Sequence, residues 1–116
     1  MSDYICIYEY KCDKYIKCNF YYYNNYNEII SNASIISTEI KNTFTLLTLH
    51  TEVLYRGNGC ATKILKHIIE YCKLYTIKKL ILDDCTDNFN MNNNIYINCG
   101  FKYIEKNLPE MELIIN

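Results

Sequence analysis

Arginine occurs once in this chain, proline once, alanine twice and glycine three times, against heavy use of Ile, Asn, Tyr and Lys. Where composition leans so far, a scarce residue marks a position that its common substitutes would not serve. The sole arginine is Arg56, the glycines are Gly57, Gly59 and Gly100, and Ala61 is one of the two alanines. Nearly all of the rare residues therefore fall in two short segments.

Other scarcities exclude whole classes. No apolar run approaches the roughly 20 residues that a bilayer-spanning helix needs, and Met1-Ser2-Asp3 lacks the basic and apolar blocks of a secretory leader. A membrane partner is not expected. The seven cysteines are odd in number and contain no C-x-x-C pair, which argues for free thiols in a reducing, cytoplasmic setting. His50 and His67 stand apart without metal-ligand spacing, so no metal is expected. Twelve basic residues against 13 acidic ones give a net charge of −1, with no global field to draw nucleic acid. With no repeat, linker or charge block, one domain over residues 1–116 is expected, and half the residues are apolar, enough for a core.

Tyr4–Tyr10 and Tyr15–Tyr23 are rich in aromatic and β-branched residues and flank the polar Lys11-Cys12-Asp13-Lys14, which predicts a β-hairpin. Asn24-Asn25-Tyr26-Asn27 is a turn signal, because asparagine tolerates positive φ. Glu28–Ser37 fits both periods, since Ile29, Ala33, Ile36 and Ile40 match a helical face; its β-branched content favours a strand. Thr43–Thr51 is a dense apolar run suited to a central strand. From Gly59 onward the period changes: Ala61, Ile64, Leu65, Ile68, Ile69 and Cys72 recur at helical spacing, with Lys63, Lys66, His67, Glu70 and Lys73 opposite. Ile77–Leu82 is a further buried strand. The Asn-rich stretch Asp87–Asn98 is a weak helix former that would depend on Phe89, Ile95 and Tyr96 for packing. Phe101–Ile104 and Met111–Ile115 close the chain as strands. This order predicts an α/β (α+β) fold: a mixed, mostly antiparallel sheet with one long helix and a short second one.

The passage from strand to helix carries the chemistry. A diphosphate needs several converging N–H donors, and the unpaired amides at a helix N-terminus supply them together with the positive end of the helix dipole. Glycines allow close backbone approach, and the Arg56 guanidinium adds a charge-assisted contact. Cys60-Ala61-Thr62 after Gly59 rules out the Gly-Lys-Ser/Thr of a nucleotide-triphosphate loop. The third glycine of a dinucleotide fingerprint is missing too.

The stretch Leu47–Leu65, LTLHTEVLYRGNGCATKIL, resembles the cofactor segment of the GNAT superfamily of acyl-CoA-dependent N-acetyltransferases. Arg56, Gly59 and Ala61 match that family's pyrophosphate loop, and Tyr96-Ile97-Asn98-Cys99-Gly100-Phe101 resembles its Tyr-x-x-x-Gly-Phe. The resemblance runs from about Glu28 to Ile115. It implies acetyl-CoA as co-substrate and direct transfer of the acetyl group to an amine acceptor, a small amine, amino sugar or protein amine. Arg56, Gly57, Asn58, Gly59, Cys60 and Ala61 would hold the pyrophosphate, and the main chain of Leu49 and Thr51 would flank a bulge in the central strand and hold the pantetheine. Tyr96 stands at the family's general acid. Where some members carry a glutamate base this chain has Thr45, so His50, Glu52, Asp83 and Asp84 are the candidates, with Glu52 and Asp84 foremost. The family's two helices after its first strand, which wall the acceptor pocket, have little room here, and a homodimer that completes the pocket fits that shortening. The alternatives are a catalytically inactive acyl-CoA-binding domain and a protein-interaction domain using the Tyr-rich strands.

Overall fold

The computed structural model describes residues 3–84 and 94–116. Cys85, Phe89 and the first part of the expected Asn-rich helix lie outside them.

The N-terminal hairpin forms as the aromatic and β-branched pattern dictates. Strand β1 (Tyr4–Lys11) pairs antiparallel with β2 (Ile16–Tyr23), and the chain reverses directly between them, the Cys12 amide donating to the Tyr15 carbonyl at 3.0 Å. No helix intervenes. The next turn is built by Asn24, whose Oδ1 accepts from the amides of Tyr26 (2.9 Å) and Glu28 (3.0 Å). Asn27 takes the expected positive φ, 63°.

The ambiguous segment is strand β3 (Ile29–Ser37), followed by β4 (Thr43–Thr51). Pairing decides the ambiguity: the segment hydrogen-bonds antiparallel to β2 along one edge and to β4 along the other, and Ile30, Ser31, Ala33, Ser34 and Ile35 are buried on its two faces, as a central strand requires. After a short 3-10 turn, Val53–Tyr55, comes helix α1 (Cys60–Leu74), then β5 (Lys79–Asp83), the four-residue helix α2 (Ile95–Asn98), β6 (Lys102–Tyr103) and β7 (Glu110–Ile114). Among the described residues the sheet has seven strands in the order β1-β2-β3-β4-β5-β7-β6, all antiparallel except β4 beside β5.

Helix α1 crosses the face of β2, β3 and β4. Its buried residues are Cys60, Ile64, Leu65, Ile68, Tyr71 and Cys72, so the apolar stripe is rotated slightly from the expected one, with Ala61 and Ile69 at its half-buried edge. Ile64, Leu65 and Ile68 are 0% exposed, and burial of each contributes about 1.5–3 kcal/mol. Tyr71 fixes the docking: its ring meets Phe20 edge-on at 5.4 Å, and its hydroxyl lies 3.2 Å from Cys18 Sγ.

Two irregularities place the site. The ladder between β4 and β5 covers only Thr43–Thr45 against Lys79–Ile81, although β4 continues to Thr51 and β5 to Asp83. The two strands are thus unzipped from each other at the end where β4 hands over to α1. In β4 one residue is inserted relative to β3, because Ile35 faces Leu46 while Ser34 faces Thr48. The extra residue is Leu47. Leu49 and Thr51 therefore do not flank the bulge as expected: both lie beyond it. Strand alternation alone could not locate the inserted residue, because Leu46, Leu47 and Leu49 are equally apolar.

Candidate functional site

The cleft begins where β4 stops. Thr51, Tyr55, Arg56, Gly57, Gly59, Cys60, Ala61, Thr62 and Ile95 enclose an open cavity of about 350 Å³, bringing together the end of β4, the loop, the start of α1 and the first residue of α2. Gly57 (φ +85°) and Gly59 (φ +77°) are both left-handed, and a Cβ built on either meets nothing within 4 Å. The glycines are thus required by backbone conformation, and among the described residues nothing fills the space beside them.

Gly59 caps α1 without a side-chain hydrogen bond, and the first turn carries no acidic residue. Its carbonyl accepts from the Lys63 amide at 3.0 Å. Among the described residues, no partner engages the amides of Cys60, Ala61 and Thr62. These are the unsatisfied donors of a helix start, carrying the positive end of a 15-residue dipole. Arg56 stands beside them with extended backbone (φ −69°, ψ 147°). Its Nε donates to the Thr51 carbonyl at 3.0 Å, which orients the guanidinium and leaves its two terminal nitrogens as donors for a bidentate contact. The turn is tied down from behind: the Tyr55 amide donates to the Glu52 carbonyl at 2.9 Å, and the Tyr55 hydroxyl accepts from Asn24 Nδ2 at 3.1 Å.

Of the expected phosphate-loop residues, all but Asn58 line the cavity; Asn58 is exposed at the tip of the loop. Thr51 is in the wall, whereas Leu49 is half-buried and packs against the core. Tyr55, Thr62 and Ile95 also line the cleft, though no motif marked them. The only available signal was adjacency, Tyr55 to Arg56 and Ile95 to Tyr96.

Tyr96 is the residue after Ile95 on α2. It is buried, with its ring edge-on to Phe101 at a centroid distance of 5.9 Å. The candidate bases fall in different places. Glu52 follows β4 directly, and its carboxylate is half exposed, 3.6 Å from His50 Nε2. Asp83 is exposed at the end of β5, while Asp84 is 3% exposed and its Oδ2 accepts from Asn94 Nδ2 and from the Tyr103 hydroxyl, both at 2.6 Å. Thr45 lies in the last paired position of β4 with β5.

Cys60 is buried and Cys99 half-buried, and burial pushes the Cys99 thiol pKa up, away from the thiolate that nucleophilic chemistry uses. Among the described residues, no group of three His, Cys, Asp or Glu is arranged to hold a metal ion. No helix among them is long and apolar enough to cross a membrane.

No protein-family model matches the sequence, and no curated protein matches it. Solved structures do match the fold. An acetyltransferase of the GNAT family from Staphylococcus aureus Mu50 superposes with a TM-score of 0.70 at 22% identity, over 86% of this chain and 68% of that one. The ribosomal-protein-S18-alanine N-acetyltransferase of Escherichia coli gives 0.68 at 18% identity, over 91% and 72%. Spermidine N-acetyltransferase from Vibrio cholerae, solved with CoA and spermine, gives 0.70 at 14% identity, over 85% and 66%. A seven-stranded, mostly antiparallel sheet, one long helix starting at a glycine loop and one short helix thus give this chain the GNAT acetyltransferase fold.

Proposed function

We propose that the chain is an acyl-CoA-dependent N-acetyltransferase that binds acetyl-CoA at the loop Arg56–Ala61 and transfers the acetyl group directly to an amine. The observation that carries this reading is the gathering along one cleft of three first-turn amides and two left-handed glycines, with no partner or neighbour among the described residues, and the chain's only guanidinium. That set fits a diphosphate, which needs many short-range donors and a backbone without side chains in the way. The fold supports it, since the matching structures include one solved with CoA.

Acetyl-CoA, when bound, supplies the thioester acyl group. The amides of Cys60, Ala61 and Thr62 and the Arg56 side chain would hold its pyrophosphate. Beyond the bulge, β4 no longer pairs with β5, so main-chain groups on that side around Leu49–Thr51 are available to the pantetheine arm. Tyr96 gives its hydroxyl proton to the departing sulfur; a phenol of ordinary pKa about 10 can protonate a thiolate whose conjugate acid lies near about 8.5. Glu52, at the open end of β4 and paired with His50, takes the proton from the attacking amine. The direct β1–β2 turn leaves the acceptor side unwalled by helices, which suits a homodimer that completes the pocket. Free thiols at six described cysteines suit a reducing cytoplasm.

A second reading, acyl-CoA binding without transfer, is favoured by Thr45 standing where some family members carry glutamate. Calorimetry with acetyl-CoA, followed by thiol release in the presence of spermidine, glucosamine or an Ala-initiated peptide, separates the two. Binding with release supports transfer, binding alone supports the second reading, and no binding refutes both.

A further inference from the structure

The start of α2 is held by a buried relay of hydrogen bonds. Asn94 caps the helix and is 0% exposed; its Oδ1 accepts from the Tyr96 amide at 2.7 Å. Its Nδ2 donates to Asp84 Oδ2 at 2.6 Å. The Tyr103 hydroxyl, from β6, donates to that same oxygen at 2.6 Å. The Asn94 amide thus turns its oxygen toward the helix and its nitrogen toward the carboxylate and, at 3.5 Å, the Tyr103 hydroxyl.

A four-residue helix has almost no stability of its own, because nucleation is the costly step. Its position depends on what grips it. Capping alone would need only the Asn94 oxygen; the Asp84 link adds nothing to the cap itself. A carboxylate is expensive to bury unless it serves as an acceptor for well-placed donors, and here Asn94 and Tyr103 donate from the segments that flank α2. The carboxylate thus ties the end of β5, the first residue before α2 and the strand after it to one oxygen.

We propose that Asp84 and Asn94 are positioning residues for Tyr96: Asp84 orients the Asn94 side chain, and Asn94 sets the seat of α2, which puts Tyr96 next to the cleft wall formed by Ile95. The catalytic consequence rests on the proposed role of Tyr96. The positional link does not.

The test is an exchange of the two side chains in the full chain. Asn94→Asp retains an oxygen for the Tyr96 amide but sets two carboxylates against each other. The double variant Asp84→Asn with Asn94→Asp restores a donor–acceptor pair with its direction reversed and still offers an acceptor to Tyr103. Three quantities are read: exchange protection of the Tyr96 amide by NMR, KM for acetyl-CoA, and kcat with spermidine, glucosamine or an Ala-initiated peptide. We expect Asn94→Asp to lower protection and kcat at least tenfold with KM within twofold, and the double variant to recover both to within threefold. Unchanged protection in Asn94→Asp overturns the link, as does a double variant that regains its melting temperature but not Tyr96 protection. If the wild type turns over none of the three amines while protection follows the expected pattern, the link stands and the catalytic role of Tyr96 falls. If turnover is normal and protection ignores the exchange, the link alone falls.

Discussion

The Nε of Arg56 donates to the main-chain oxygen of Thr51 across 3.0 Å, so the side chain is oriented before any ligand arrives. Pre-ordering of this kind lowers the entropy lost on binding. Arg56→Ala is expected to weaken acetyl-CoA binding by about 10- to 100-fold, the equivalent of about 1.5–3 kcal/mol for hydrogen bonds to a charged group. Because Arg56 is exposed, the melting temperature should barely move. Calorimetry showing the same affinity as wild type would remove Arg56 from the site.

Gly59 sits at φ +77°, and a Cβ there would meet none of the described residues within 4 Å. Gly59→Ala adds about 1–2 kcal/mol of left-handed strain without a clash. It is expected to lower stability modestly in a denaturant titration. Gly59→Asp adds a negative charge beside the proposed phosphates, so it should abolish measurable acetyl-CoA binding. An Asp variant that binds like the Ala variant would refute the pyrophosphate assignment.

Tyr96→Phe keeps the ring that meets Phe101 and removes only the hydroxyl. Loss of general-acid assistance is expected to cut kcat by about 10²-fold or more, with CoA affinity held within a few fold. Unchanged turnover in this variant would remove Tyr96 from the mechanism.

Much of the fold was legible in the sequence because its signals are local. The α1 stripe repeats every three or four residues, the hairpin is two runs of strand formers around a polar turn, and the loop stood out because glycine and arginine are so rare. The bulge was not legible: an extra residue in a uniformly apolar strand leaves no mark until its partner strand is aligned. Nor was Asp84, whose meaning lies in Asn94 and Tyr103, ten and nineteen residues away. Read singly, it is one more carboxylate near a cleft; within the fold it is a buried acceptor.

Burial pushes the Cys72 thiol up to about 12 and pushes the Tyr71 hydroxyl upward as well, again chiefly through burial. A folded-state pKa above the unfolded one means that the stabilising contribution is complete below the unfolded value, near about 9 for the thiol, and is lost as pH climbs toward about 12. The melting temperature is thus expected to fall progressively above about pH 9. In Cys72→Ala the fall should be shallower, from a lower starting point because of the cavity left in the core. An equally steep alkaline decline in that variant would exclude the thiol as a contributor.

Ile68→Ala truncates a side chain at 0% exposure in the middle of α1, and it is expected to cost about 2–5 kcal/mol. Chemical denaturation reads this directly, and a loss below about 1 kcal/mol would mean that the helix packs less tightly on the sheet than its burial implies.

The three-residue ladder between β4 and β5 makes the sheet two blades joined near one end, like shears held at the pivot. The aperture between the blades then depends on strand twist and on the inserted Leu47. Substitutions that change the bend at Leu47 should therefore widen or narrow the gap between β4 and β5.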